Sequence, residues 1–422
     1  MRARLLILAS AVAMLGWGTV LPYQYAYAAN TRGWGSLVAA AASSLFSVGA
    51  LLAAPVGGRL ADRVPPVAVA VASKLVAAAG AAGLVVAGSP VTFLLGMFVF
   101  GVGITAANPA QTVLVLRWVG GGEDRRRVFA WQFTGQALGM AVGAFVAGYV
   151  VDLDRLDGMT AAFATAAAGF VLSALLILAA GRGAPRGDAD GLGVDAAAQA
   201  PGGISGRAAV RLLWASPPLR WTALVTVTLA LGFYAQFESG LPAYALTVLS
   251  VEESVIGLAA AVNCVVIIAL QMVVVRLTAR RSAPALLMGV ASIWTLSWLL
   301  LAVATQAPGL AAALFVTTFG VFAVGETMYA PVLNPLTASL APAGTVGTTL
   351  GIFTALQTGV SALGPLVAGV VLGAGLGAAF IGLHVAVSVL ALFAAWRLRQ
   401  SLRAAAPDAV ATTSPSEPVL AA

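Results

Sequence analysis

The sequence predicts an all-α membrane protein with twelve transmembrane helices in two pseudo-symmetric six-helix bundles. Three observations carry this reading. Of 422 residues, 60% are hydrophobic and 9% charged, with a mean hydropathy of +0.98; an ordinary soluble domain carries roughly 25% charged residues. Apolar runs of about twenty residues recur, the length a helix needs to cross a bilayer core of about 30 Å. Short motifs repeat at a shift of about 217–221 residues. Helices are favoured over strands because an open sheet edge cannot stand in lipid. The runs are also too long and too evenly apolar for the ~10-residue alternation of a β-barrel.

The runs fall at about 6–28, 36–57, 67–88, 91–116, 128–150, 160–180, 221–247, 255–275, 284–305, 309–334, 347–372 and 375–396. Glycine, proline or charge separates each from the next, as at Gly88-Ser89-Pro90, Asp152-Leu153-Asp154-Arg155 and Pro308-Gly309. The first run imitates a signal peptide, with Arg2 and Arg4 before it and Ala26-Tyr27-Ala28 at its end. Its length, Pro22, its tyrosines and a counterpart later in the chain favour a retained span. Tyr25 and Tyr27, near its end, read as interfacial anchors.

Positive charge sets the orientation. With the N-terminus inside, 20 of the 22 Lys and Arg residues fall on the cytoplasmic side, and only Arg32 and Arg155 fall outside. Both termini are therefore expected in the cytoplasm of a bacterial inner membrane. The net charge of +7 reads as this bias, with anionic lipid as its partner and no nucleic acid. One Cys and one His exclude a disulfide framework and leave no soft-ligand set for a metal. No G-x-x-x-x-G-K-[ST] loop is present, which excludes a built-in ATP motor.

The longest polar stretch divides the chain. Residues 1–180 form the N-terminal bundle, 181–219 a flexible cytoplasmic linker rich in Gly, Asp and Pro, 220–396 the C-terminal bundle, and 397–422 a disordered cytoplasmic tail. The halves answer each other. Leu21-Pro22 matches Leu241-Pro242, Gly58 to Arg63 matches Val275 to Arg280, and Gly143 to Gly148 matches Gly364 to Gly369. A transporter made of two such halves places its substrate path between them.

These residues reach a family. The loop Gly58-Arg59-Leu60-Ala61-Asp62-Arg63 resembles the Gly-x-Leu-Ala-Asp-Arg-x-Gly-Arg-Arg/Lys pattern of the major facilitator superfamily, and the resemblance extends over nearly the whole chain. It departs at Pro65, Pro66 and Val67. The resemblance implies that Gly58, Asp62 and Arg63 belong to a cytoplasmic gating loop. Gly139, Gly143 and Gly148, and Gly364-Pro365 with Gly369, resemble the glycine pattern of drug–proton antiporters, with Ala144 and Ala147 as departures. Small residues let helices approach closely and a Pro bends the seam. The helix-4 arginine of many proton-coupled members is replaced by Met97, four residues before Gly101-Val102-Gly103.

Ionisable groups inside a span mark a functional path by default. Only Glu238 and Glu326 lie well inside a run, on spans 7 and 10, separated in depth by roughly 12 Å at about 1.5 Å per residue. Gly325-Glu326 and Pro331 resemble helix 10 of multidrug exporters. No basic residue is expected at a similar depth, because Lys74 is read near the cytoplasmic end of span 3. The two acids are therefore expected to serve proton coupling or to hold substrate charge. The resemblance places spans 1, 4, 7 and 10 around a central cavity. That makes Trp17, Tyr23, Gln24, Asn108, Gln111, Gln236, Tyr329 and Asn334 cavity candidates, joined by Gln132 and Gln136 on span 5 and Gln357 on span 11. His384 and Cys264 read as packing residues.

The expected function is secondary active transport by alternating access: proton-coupled efflux of a hydrophobic cationic or neutral molecule. Uptake of a sugar or amino acid is the alternative, and a non-transporting sensor a weaker one. The expected partners are a small-molecule substrate, protons and the bilayer around a monomer. No enzymatic activity, cofactor or metal is expected.

Overall fold

The computed structural model describes residues 1–120, 122–182, 211, 214–237 and 240–411. The described residues contain no strand. The helices are α1 (Arg2–Thr31), α2 (Gly35–Arg63), α3 (Pro66–Val85), α4 (Pro90–Trp118), α5 (Gly122–Val150), α6 (Thr160–Gly181), α7 (pieces Pro217–Leu229, Ala230–Tyr234, Ala235–Phe237 and Gly240–Thr247), α8 (Glu253–Thr278), α9 (Ala283–Ala304), α10 (Ala311–Leu340), α11 (Val346–Gly373) and α12 (Gly377–Ala411). Eleven of these are long and apolar enough to cross a membrane; α7 is divided by residues 238–239, outside the description.

Several helices outrun their apolar runs. The start of α5 takes in Gly122 to Arg127, since a helix satisfies its own backbone and need not stop where lipid does. Past Trp396, where the sequence predicts a disordered tail, α12 continues to Ala411. Arg397-Leu398-Arg399-Gln400 and Ala404 to Ala406 are good helix formers. Most of the predicted linker and residues 412–422 lie outside the described residues.

Each half has its own aromatic core. In the first, Trp17 stacks on Phe46 at 4.6 Å and meets Phe100 edge-on, and Phe100 meets Phe170. In the second, Trp294 and Trp298, both fully buried, pack on Phe233 and Phe322. Their indole N–H groups donate to the carbonyls of Phe322 (3.1 Å) and Gly232 (2.8 Å). Gly232 lies in the wide turn Ala230–Tyr234 of α7, where such a turn loosens the helix's own bonding. His384 is fully buried, stacked on Trp298 at 4.5 Å.

Successive helices alternate in direction, so helix ends gather at two faces. Arg2, Arg63, Arg117 and Arg125 to Arg127 share one face, the basic face. At the opposite face the turn between α5 and α6 is tied to the end of α1. Tyr27 hydroxyl donates to the Leu156 carbonyl at 2.7 Å, Thr31 to the Leu153 carbonyl at 2.7 Å, and Arg32 to Leu156 at 3.4 Å. Tyr27 is thus a buried tie rather than an interfacial anchor, whereas Tyr25 is exposed. In that turn Arg155 pairs with Asp157 at 3.0 Å. The hydrogen-bonded guanidinium holds the Asp157 carboxyl below its ordinary range, but both groups are exposed and such pairs add little stability.

Candidate functional site

A cavity of about 250 Å³ lies where the halves meet. It is lined by Asn108 and Gln111 of α4, Gln132 and Gln136 of α5, Tyr234 of α7, Tyr329 and Asn334 of α10, and Gln357 of α11. A second space of about 320 Å³ shares Asn108, Gln111 and Gln136 with it and extends into the first half. There Trp17, Phe46 and Phe170 supply aromatic wall, and Ser10, Thr105 and Lys74 supply polar groups. A further hollow of about 750 Å³, between α7 and α12 beside Trp214 and Trp221, lies on the flank of one half and off any path between the two.

Proline shapes both sides of the wall. Pro109 in α4 and Pro331 in α10 are interior prolines at equivalent positions of the two halves. Pro331 cannot bond the Thr327 carbonyl one turn back, and Gln271 Nε2 of α8 satisfies that carbonyl at 2.9 Å. A helix in lipid tolerates proline when a neighbour takes over the freed group.

Glu326 is buried behind this wall and lines neither cavity. Asn263 of α8 donates to its Oε2 at 2.8 Å, and the Tyr234 hydroxyl approaches it from the cavity side. Tyr329 stands 5.5 Å from Tyr234, ring to ring, and its hydroxyl has no partner among the described residues. Glu238 lies outside the described residues.

Tyr23, Gln24 and Gln236 line neither cavity, although the sequence assigns them to it. The helical periodicity that predicts their direction is interrupted: α1 breaks at Leu21-Pro22-Tyr23, and the wide turn in α7 re-aims the residues after it. Tyr234 faces the cavity in consequence, while Gln236 is fully buried. A second correction concerns charge. Lys74, the chain's one lysine, stands nine residues into α3, buried, on the wall of the inner cavity and over the Phe170 ring at 5.4 Å. The cavity therefore does carry a basic group, because a long side chain reaches across the bundle from a helix whose backbone lies outside it.

Ser10, Tyr234 and Asn263 escaped the sequence reading. An isolated amide in an apolar run, as Asn263 is, was the available signal.

At the basic face the halves are joined by side chains that bond helix ends. Asp62, on the last turn of α2, accepts from the backbone N–H of Gly347 (2.5 Å) and Thr348 (2.6 Å) and from the Thr348 hydroxyl (2.6 Å). These are the second and third residues of α11, the N–H groups a helix leaves open. The helix's own Thr345 makes no cap bond to them. The glycines beside Asp62 allow this approach: a Cβ on Gly58 would meet the Gly347 carbonyl, and one on Gly351 the Ala54 carbonyl. The pseudo-equivalent contact joins α5 to α8. Arg126 donates to the carbonyls of Thr278 (3.2 Å) and Ala279 (3.3 Å), where α8 ends. Asp62 and Ala279 are related by a shift of 217 residues and Arg126 and Gly347 by one of 221, the two ends of the range at which the motifs repeat. The acid meets a helix's positive end and the arginine a negative one. Arg63, beside Asp62, is exposed and makes no ion pair among the described residues.

The seam glycines pack within the halves. A Cβ on Gly139 would meet the Ala11 carbonyl of α1, and one on Gly143 that of Leu15; in the second half, Gly364 meets the Ala235 carbonyl of α7 in the same way. Pro365 follows a break at Ala362-Leu363 in α11.

The profile of the Major Facilitator Superfamily matches residues 6–365. The chain belongs to the Major Facilitator Superfamily. It is accordingly a multi-pass membrane transporter. Three solved structures share the fold at low identity. The human organic anion transporter MFSD10 (TETRAN) is 18% identical, with 94% of this chain and 98% of that one covered and a TM-score of 0.69. A bacterial homologue of the iron transporter ferroportin, outward-facing, is 15% identical over 95% and 100%, with a TM-score of 0.74. The transporter FucP, in its outward conformation, is 14% identical over 94% and 98%, with a TM-score of 0.71. No curated protein matches by sequence. Within this superfamily member, the amide-lined space between the halves is the candidate substrate site.

Proposed function

We propose that the chain is a proton-coupled secondary transporter that exports a small amphipathic organic molecule by alternating access. The basic face is cytoplasmic by its charge bias, and the structure represents the state closed on that side. One observation carries the reading. A cavity between the halves presents carboxamides from both of them, and a buried carboxyl, Glu326, stands one tyrosine hydroxyl behind its wall.

The chemistry follows from that placement. A carboxyl shut away from water favours its uncharged form, so Glu326 can take a proton from one side and release it when the other conformation hydrates its surroundings. Tyr234 both stands beside Glu326 and lines the cavity, which makes it the proton's step into the substrate space. Glu326 does not touch the cavity, so a preference for cationic cargo has no support from its position. Uptake of a polar solute is a second reading, favoured by the amides Asn108, Gln111, Gln132, Gln136, Asn334 and Gln357, which suit hydroxyl groups. The efflux direction rests on the glycine seams and on the helix-10 resemblance around Glu326.

The test is transport in proteoliposomes under an imposed pH gradient, using compounds first selected by growth of a drug-sensitive bacterial strain. Glu326→Gln keeps the side chain's shape and removes its titration. It is expected to abolish gradient-driven movement while exchange of labelled for unlabelled substrate continues. Wild-type rates in Glu326→Gln would overturn proton coupling through this residue.

A further inference from the structure

The geometry points to Lys74 and Gln111 as an anion-binding site in the inner cavity, which takes the carboxylate of an aromatic or similarly apolar acid. Lys74 is 4% exposed, and no hydrogen bond or ion pair is found for it among the described residues. Its contact is with the Phe170 ring. An ammonium held out of water without an anion is costly, and buried charges are ordinarily paired. The missing partner is a ligand's negative charge.

Gln111 makes the case independently. Gln132 Nε2 donates to the Ser10 hydroxyl at 2.8 Å, and Ser10 donates in turn to Gln111 Oε1 at 3.4 Å. That relay occupies the acceptor of Gln111 and turns its Nε2 away as a donor. The buried Nε2 has no partner among the described residues, although polar groups inside a protein are nearly always bonded. Lys74 and Gln111 thus both line the same space of about 320 Å³, each with a donor that no described residue accepts. A carboxylate, which only accepts, answers both. The rest of the wall includes Trp17, Phe46 and Phe170, so the body attached to the carboxylate is flat and apolar. The size is at the lower end for small-molecule sites.

This rests on the reading of the central space as the substrate path, and binding tests it apart from transport. The probes are 2-naphthoate and 2-naphthamide, which differ chiefly in charge, titrated by calorimetry into the purified full-length chain. Naphthoate is expected to bind wild type at least about 10-fold tighter than naphthamide, the scale of a hydrogen bond to a charged group. Lys74→Met keeps an unbranched stem and is expected to bring the two within about 2-fold, by weakening naphthoate alone. Gln111→Leu is expected to weaken naphthoate several-fold with a smaller effect on naphthamide. The wild-type comparison stands even if a variant does not fold. Equal binding of the two probes, or no saturable binding of naphthoate, overturns the site. Gradient-driven transport of another compound that Glu326→Gln abolishes would leave the transport reading intact in that event. Naphthoate binding without such transport would instead overturn proton coupling and leave the site.

Discussion

Asp62 shows how much one side chain can bias. It replaces a missing cap on α11 with three hydrogen bonds that its carboxylate accepts, and bonds to charged groups are each worth about 1.5–3 kcal/mol. All three exist only while the basic face is closed. Asp62→Asn is therefore expected to lower turnover several-fold and to leave substrate affinity within several-fold, since the group weights one state without touching the cavity. Transport rate and equilibrium binding on the same preparation check this; unchanged turnover in correctly inserted protein counts against gating. Under the proposed proton coupling, Tyr234 acts at the same scale on proton access. Tyr234→Phe removes the hydroxyl between Glu326 and the cavity while keeping the ring against Trp294 and Tyr329. It is expected to slow gradient-driven transport more than substrate exchange, as read by comparing the two rates.

Among the elements, glycine seams of the same geometry do different jobs. Gly143 packs α5 on α1 inside one half, so the contact persists in every state. Gly58 packs α2 on α11 across the two halves, so it must separate when the basic face opens. Overpacking a close contact costs typically about 1–3 kcal/mol. Gly143→Leu is thus expected to lower the melting temperature in detergent. Gly58→Val is expected to leave it closer to wild type and to shift the population toward the state open on the basic face. Thermal denaturation together with accessibility of a labelled residue in the cavity separates the two. A fall in melting temperature as large for Gly58→Val as for Gly143→Leu would mean that the α2–α11 seam is permanent.

In the whole molecule, the Asp62 and Arg126 contacts occupy pseudo-equivalent places with inverted charge and close the same face. Two contacts that bias one equilibrium and share no atoms should add. Asp62→Asn with Arg126→Ala is expected to reduce turnover by about the product of the single effects. A double variant no worse than either single one would make them one latch rather than two. Orientation is tested at this scale as well. Reporter fusions after Gly187 and after Val410 are expected to read cytoplasmic, and an external signal at either rejects the topology drawn from the arginine bias.

Composition and spacing were enough to determine the class of protein, an all-helical bundle of long apolar helices, because a bilayer demands such helices and leaves few other solutions. The loop around Asp62 stood out through its resemblance to the superfamily's motif, and the structure places its carboxylate on the start of α11. Most of the amides predicted for the cavity also line it, as helical periodicity directs when it runs unbroken. Where α1 and α7 break, that periodicity fails, and Tyr23, Gln24 and Gln236 turn elsewhere. The tertiary structure alone decided the charge of the site. Lys74 was read near the cytoplasmic end of its span, and only packing reveals that its stem crosses to the cavity while Glu326, on a helix read as central, faces away toward Asn263. Direction along a helix is written in the sequence, but which neighbour a long polar side chain reaches depends on how the bundle closes around it.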